Sequence, residues 1–169
     1  MSTQQHRETV RRAYNYRCGY CGVRDEEAGS ELEIDHFRPR SAGGGDELEN
    51  MVYCCTACNR LKGDFWPGSG SPTHSRLLHP QRDSLTNHLR EETDGRLIAL
   101  TETGAFHLDR LRLNRAPLMA LRRARMENAQ TQHDLTELRN EQNQMRKQLA
   151  ARDEEIREIL AQLARLLEP

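Results

Sequence analysis

Residues 18–21 are Cys-Gly-Tyr-Cys and residues 55–58 are Cys-Thr-Ala-Cys, so the chain holds two Cys-x-x-Cys pairs with residues 22–54 between them. Four thiolates at this spacing are enough to close a tetrahedral zinc site. A site with four protein ligands keeps no open position for a substrate. The sequence therefore predicts that Cys18, Cys21, Cys55 and Cys58 hold a structural Zn²⁺. The fifth cysteine, Cys54, adjoins Cys55, and we interpret it as a packing residue because two adjacent side chains seldom reach one tetrahedral metal.

The first residues and the charge balance indicate where the chain acts and how it binds. Met-Ser-Thr-Gln-Gln-His-Arg contains no apolar h-region, which predicts no secretory signal and a reducing compartment where zinc is favoured over disulfides. No apolar run approaches the length of a membrane span, so we expect no membrane segment. The net charge is −1, and residues 1–64 hold 9 Lys and Arg against 11 Asp and Glu. This balance argues against a non-specific nucleic-acid binder that works by charge alone.

Hydrophobic spacing and turn residues predict three parts: a zinc-stabilised core over 1–64, a linker with an accessory hairpin over 65–115, and a helix over 116–169. In the core we expect a helix over 4–15 and then two strands joined by a glycine-rich loop. A short helix capped by Thr56 should follow the second strand. In the middle part, a linker over 66–75 precedes expected strands at 96–101 and 105–111. Asn114 is predicted to cap the last helix.

The last part contains neither glycine nor proline from Leu118 until Pro169. Its heptad pattern places apolar residues at eight of the ten seam positions between Leu135 and Leu166, which favours a coiled coil. Leu160 and Leu167 widen the stripe. We expect a parallel homodimer through residues 121–166, or a coiled-coil partner protein. A helix that folds back on its own domain is the alternative.

The segment between the cysteine pairs carries side chains that a structural zinc does not need. Asp35 and His36 lie between the pairs, and Asn59 directly follows the last cysteine. A carboxylate and an amide oxygen suit Mg²⁺ or Mn²⁺, and a neutral imidazole can take a proton from water near pH 7. Asp35 and Asn59 are thus candidate ligands of a catalytic cation, with His36 as general base. Consecutive strand residues point to opposite faces, so we expect a local distortion that lets Asp35 and His36 serve one site.

Asn50 and a group of cations complete the candidate site. Asn50 lies at the far end of the glycine loop, where its amide can bond backbone groups and hold the strand ends. The candidates for phosphate contacts are Arg38, Arg40, Arg60 and Lys62. Solvated surface charge is the common alternative for such residues. Nothing in the sequence encodes base-specific contacts, so specificity is expected to be low or to come from a partner.

The combined pattern resembles a known family, the HNH endonucleases with a cysteine-type structural zinc. The resemblance covers residues 15–64 and lies in Cys18-x2-Cys21, Ile34-Asp35-His36-Phe37-x-Pro39-x-Ser41-x-Gly43-Gly44, Asn50, and Cys55-x2-Cys58-Asn59-x2-Lys62-Gly63. It implies an α+β fold with a ββα-metal nuclease core, followed here by the hairpin and the long coiled-coil helix. It also implies that His36 is the general base, that Asp35 and Asn59 bind the catalytic metal, and that Asn50 steadies the loop. Asn59 stands where the family often has His, which favours Mg²⁺ or Mn²⁺.

Residues 79–115 resemble, less specifically, the tail of small bacterial HNH proteins of restriction or phage-defence type. The residues concerned are His79-Pro80, Asp83, His88, Asp94-Gly95-Arg96-Leu97-Ile98, Leu100-Thr101, Gly104 and Leu113-Asn114-Arg115. This resemblance implies a cytoplasmic bacterial protein that cuts DNA in anti-phage defence. The alternative is a non-catalytic zinc-stabilised interaction module that acts through its coiled coil. The joint presence of Asp35, His36 and Asn59 favours the nuclease, since a plain zinc ribbon needs none of the three.

Overall fold

The computed structural model describes residues 3–166. The chain divides into two compact units, Met1–Arg123 and Ala124–Pro169. The helices and strands follow in this order: α1 (Thr3–Ala13), α2 (Asp25–Ala28), β1 (Glu33–His36), β2 (Met51–Cys54), α3 (Thr56–Lys62), β3 (Leu89–Glu91), β4 (Leu97–Ala99), α4 (Glu102–Arg110) and α5 (Ala116–Leu166). The predicted mixture of α and β structure is confirmed.

The centre of the first unit is the β1–β2 pair with α3 behind it. The two strands are antiparallel, in a register that runs unbroken from Glu33 opposite Cys54 to His36 opposite Met51. All four residues of β2 are buried, because this strand lies in the middle of the hydrophobic core. The predicted strand–loop–strand–helix order is therefore confirmed. The cap is different from the prediction: Cys55 occupies the N-cap position of α3, and the Thr56 hydroxyl donates instead to the Glu33 carboxylate.

Helix α1 covers the second strand. Val10 and Tyr14, which lie one turn apart, are both buried, and the Tyr14 hydroxyl donates a hydrogen bond of 3.2 Å to the Met51 carbonyl. This confirms the apolar face that the sequence predicts for the first helix, although α1 ends at Ala13.

The hairpin after the core exists, and its strand β4 lies within the strand predicted at 96–101, but its other strand, β3, precedes both predicted strands. Strands β3 and β4 pair across a turn at Asp94-Gly95, where Gly95 has a φ of +81° that only glycine adopts without strain. The expected strand at 105–111 is wrong, because α4 occupies this segment. A helix forms here because Thr101 caps it: the Thr101 side chain accepts a hydrogen bond of 3.0 Å from the Gly104 backbone N–H. The resulting helix buries His107.

The start of α5 is fixed against this hairpin. Asn114 does not cap the helix as expected; its side chain bonds the backbone N–H and C=O of Leu97 at 2.7 and 2.8 Å. In the first turns of α5, Leu118 and Arg122 lie on one face of the helix and are both buried. Arg122 donates to the carbonyls of Gly95 and Leu113. The accessory segment thus packs into the same compact unit as the core that contains β1, β2 and α3.

The second unit consists of the remaining turns of α5. Its apolar seam residues are exposed along this helix, from Leu135 at 44% to Leu149 at 61% and Leu163 at 49%. Leu167 lies outside the described residues. No helix within residues 3–166 combines the length and apolarity that crossing a membrane requires.

Candidate metal centre and active site

The four predicted zinc ligands meet at one point. The sulfur atoms of Cys18, Cys21, Cys55 and Cys58 all lie within 4.8 Å of one another, and the Cys21 and Cys55 sulfurs are 3.7 Å apart. Four sulfurs at the corners of a tetrahedron, each 2.3 Å from zinc, would lie about 3.8 Å apart. The donor set therefore fits a structural zinc, and Cys54 is buried outside the cluster as predicted.

Two backbone contacts build this metal centre onto the sheet. The Cys18 N–H donates to the Val23 carbonyl at 2.8 Å and closes the first knuckle, and the Gly19 N–H donates to the Tyr53 carbonyl at 2.8 Å. The second knuckle opens α3, because Cys55 is its N-cap. Hydrogen bonds from the neighbouring thiols, with Cys18 first, lower the pKa of Cys55. Burial, in contrast, raises the pKa of Cys18, so the four thiols do not all favour the thiolate by themselves, and a bound metal would hold them deprotonated.

Arg115 is a neighbour of the metal centre that sequence reasoning missed. Its guanidinium donates to the Cys58 sulfur at 3.5 Å and lies 3.9 Å from the Cys55 sulfur. A Zn²⁺ with four thiolates would carry a net negative charge, which this cation would partly neutralise. No local motif indicates this contact, because 57 positions separate Arg115 from Cys58.

Asp35 lies in a largely enclosed site, with a side chain that is 13% exposed. The Lys62 ammonium is 3.0 Å from its Oδ2 and 3.3 Å from its Oδ1, and the Tyr20 hydroxyl donates to Oδ2 at 3.2 Å. Burial raises the pKa of Asp35 even though Lys62 and Tyr20 favour the charged form. Oδ2 accepts from both Lys62 and Tyr20, whereas Oδ1 is approached by Lys62 alone. Oδ1 is therefore the oxygen that can more readily bind a metal ion.

Asn59 faces the same side of β1 as Asp35. Its amide nitrogen donates to Glu33 Oε2 at 2.6 Å, and Glu33 and Asp35 point to one face of the strand because they are two residues apart. The bond to Glu33 orients the amide so that its oxygen is the end available to a cation. Glu33 was missed as a site residue, although its alternation with Asp35 along β1 is a signal in the sequence. Hydrogen bonds from Asn59 and then Thr56 lower the pKa of Glu33.

His36 has a different partner. Its Nε2 lies 2.7 Å from Asp46 Oδ1, and Asp46 also accepts a hydrogen bond of 2.6 Å from Arg40. The bond from His36, and then the bond from Arg40, lower the pKa of Asp46. If Nε2 carries the proton, Nδ1 is the nitrogen that can accept one from water. Asp46, at the end of the glycine run, is a second site residue that sequence reasoning missed.

The expected distortion between Asp35 and His36 is absent from β1. The pairing with β2 is regular through His36, which is the last residue of β1. Within residues 3–166 no hydrogen bond joins His36 to Asp35 or Asn59. The imidazole is nevertheless close enough to Asp35 for its charge to lower the pKa of that carboxyl.

Asn50 holds the glycine loop as expected from its position. Its side chain accepts from the Arg38 N–H at 2.8 Å and donates to the carbonyls of Arg38 and Gly45 at 3.0 and 2.8 Å. A side chain at Gly44 would overlap the Arg38 carbonyl, so this loop can close only around glycine. Asn50 therefore fixes the chain directly after His36.

The four candidate phosphate-binding cations do not share one environment. Arg60 is exposed, Arg40 pairs with Asp46, and the Arg38 guanidinium lies 5.5 Å from the centre of the Trp66 ring. Lys62 is fully buried against Asp35, so the expectation that it contacts a phosphate at the surface does not fit its position. Three cations remain at the surface of the site.

The arrangement of cysteine knuckles, β1, β2 and α3 can be compared with known proteins. Residues 18–65 match the family model described as HNH endonuclease. The chain carries an HNH endonuclease domain. The HNH domain contains both cysteine pairs and the candidate residues from Asp35 to Asn59, whereas Arg115 lies beyond it. No curated protein matches the chain significantly.

Proposed function

We propose that this protein is a metal-dependent endonuclease that hydrolyses phosphodiester bonds in DNA. The observation that carries the proposal is that α3 brings Asn59 to the same face of β1 as Asp35, within a domain that matches the HNH endonucleases. A carboxylate and an amide oxygen on one face of a strand are ligands that Mg²⁺ or Mn²⁺ accepts.

The roles of the protein groups follow from their surroundings. Asp35 and Asn59 would hold the cation, which when bound neutralises charge on the phosphate oxygens. His36, oriented by Asp46, accepts a proton from water, and the resulting hydroxide attacks phosphorus while the bond to the leaving oxygen breaks. The leaving oxygen takes up a proton from solvent. Asn50 keeps His36 in place through the backbone of Arg38.

Plasmid nicking tests this function. The zinc-loaded parent should nick a supercoiled plasmid with Mg²⁺ or Mn²⁺ and lose this activity without them. His36→Ala should abolish nicking while zinc content and circular dichroism stay unchanged. The matched control is His133→Ala, since His133 is 64% exposed on α5. Full nicking by His36→Ala, or a parent without metal-dependent nicking, would leave the non-catalytic interaction module as the better explanation.

We also propose that two copies associate in parallel through the exposed seam of α5. The support is an apolar stripe of Leu135, Leu138, Met145, Leu149, Ile156, Ile159 and Leu163, each between 44% and 61% exposed in one copy. In a parallel pair, Asp134 faces Arg139 and Glu141 faces Arg146 across the seam. Light scattering at micromolar concentration should give twice the mass of the chain, and a monomer would instead favour a partner protein with a matching helix.

A role in anti-phage defence is the biological setting that we propose for this activity. Its support is the likeness of residues 79–115 to the tails of small defence-type HNH proteins. Expression of the chain in a bacterial host should lower the plating efficiency of infecting phage, and His36→Ala should not. Equal plating efficiency with the parent and with His36→Ala would refute the role in defence and leave the nuclease proposal unaffected.

A further inference from the structure

A cavity of about 380 Å³ lies beside the segments that carry the candidate active-site residues. One of its walls is Phe37, which directly follows His36. Another is formed by Phe65, Trp66 and Pro67, which follow the end of α3. The cavity is therefore next to both the strand and the helix of the site, and its volume is at the small end of the range for ligand pockets.

Four of the nine residues that line this cavity carry aromatic rings. The Phe37 ring meets the Trp66 ring edge-on at a centroid distance of 6.0 Å and the His79 ring at 4.5 Å. Trp66 keeps 38% of its surface exposed. Partly exposed aromatic rings beside cationic side chains are what nucleic-acid strands use for stacking their bases.

The charges around the cavity suit a phosphodiester. Asp83 is neutralised by Arg76, which donates to its two oxygens at 2.7 and 2.9 Å, and this bond lowers the pKa of Asp83. Arg82 lines the cavity as well, and Arg38 lies over Trp66. The surplus charge is therefore positive, which opposes a cationic ligand and favours an anionic strand.

The cavity offers little for telling one base from another. Both ring nitrogens of His79 already bond the protein: Nε2 donates to the Glu49 carbonyl at 3.1 Å, and Nδ1 accepts from the Gln81 N–H at 3.2 Å. Arg76 and Asp83 are engaged with each other, and the other lining residues apart from Arg82 are Phe37, Phe65, Trp66, Pro67 and Leu77. Stacking tolerates every base because every base has a π-face.

We propose that this cavity receives one unpaired nucleobase of the substrate strand, stacked on Trp66 beside the phosphate that the His36 site cleaves. The proposal rests on the nuclease function. A base within a duplex is paired and stacked on its neighbours, so only a single-stranded, frayed or flipped nucleotide can enter. The substrate class is then a strand with unpaired nucleotides at the cut, selected by stacking.

Trp66 is the only tryptophan of the chain, so its fluorescence reports directly on the cavity. The probe is a 12-nucleotide oligothymidine, added to the zinc-loaded full chain without Mg²⁺. It should quench the emission, whereas an abasic oligomer of equal length and charge should not. Equal quenching by both oligomers would overturn the proposal, and so would quenching by a blunt duplex at the same concentration. An RNA strand that quenches as well would extend the site to RNA.

Affinity measured by anisotropy of a labelled oligothymidine gives the second readout. Trp66→Ala should weaken binding roughly tenfold, the order expected for one lost stacked base, and Trp66→Phe should restore most of it. The control is Tyr16→Ala, since Tyr16 is 42% exposed and also lies under an arginine, at 4.9 Å. Unchanged affinity in Trp66→Ala would refute the cavity. Metal-dependent nicking without quenching would refute base binding in the cavity but not the nuclease function. Quenching without nicking would refute the nuclease function but not base binding in the cavity.

Discussion

The ion pair between Lys62 and Asp35 supports a quantitative prediction. The side chains are 1% and 13% exposed, and the ammonium lies 3.0 Å from Oδ2. Lys62→Met removes this cation and leaves the Asp35 carboxylate buried with one donor, the Tyr20 hydroxyl. Breaking a buried ion pair in this way costs about 3–5 kcal/mol, which is a large share of the roughly 5–15 kcal/mol that stabilises a typical domain.

The assay is urea unfolding of the zinc-loaded protein, followed by circular dichroism at pH 7. Arg60→Met is the matched control, because Arg60 lies on the same helix and is exposed; it should change the unfolding free energy by less than about 0.5 kcal/mol. The double variant Asp35→Asn with Lys62→Met should recover part of the loss, since no charge then remains buried without a partner. A Lys62→Met protein as stable as Arg60→Met would refute the assignment of Lys62 as an internal partner.

The stability lost in Lys62→Met should depend on pH, in a direction that follows from the pKa of Asp35. Burial raises the pKa of Asp35 in the folded protein, and removal of Lys62 should raise it further. A carboxyl whose folded pKa is raised binds its proton more tightly in the folded state, so it contributes stability at low pH that is lost as the pH rises. The deficit of Lys62→Met relative to Arg60→Met should therefore be smaller at pH 5 than at pH 8, and a larger deficit at pH 5 would contradict this origin.

Three further predictions concern the metal, the core and the seam. Cys21→Ser should lose zinc and unfold the first unit because a structural zinc contributes folding energy, whereas Cys54→Ala should keep its zinc by atomic absorption. Burial lowers the pKa of His107 to about 4. The neutral imidazole therefore stabilises the folded state fully above about pH 6.5, and this contribution is lost as the pH falls toward 4. Between pH 7.5 and pH 5, the unfolding free energy of the parent in urea should drop by about 2 kcal/mol more than that of His107→Gln. An equal loss would contradict that origin. Leu149→Asp combined with Ile156→Asp should give monomers in light scattering that still nick a plasmid but rarely linearise it, and a persistent dimer would place the interface elsewhere.

The hairpin and α4 mark where prediction from the sequence failed. Of the strands predicted at 96–101 and 105–111, only the first overlaps a strand of the structure, because two local signals outweigh the apolar residues. Asp94-Gly95 is a strong hairpin turn, and Thr101 begins a helix through its bond to the Gly104 N–H. Both signals are local, so the sequence itself carries them. Asn114 is different, because its bonds to Leu97 depend on a chain segment 17 positions away.

The sequence by itself determined the metal centre, the order of elements in the HNH domain and the residues of the glycine loop. These follow from short spacings, because knuckles, turns and strand alternation are governed by neighbours in the chain. Only the tertiary structure decided which charges are buried and what they contact. In the folded chain, Lys62 is buried against Asp35, and His36 contacts Asp46. Arg115 contacts Cys58, one of the four predicted zinc ligands. The physical reason is that desolvation and ion pairing depend on distances in space, and residues remote in the chain set those distances only after the core has packed.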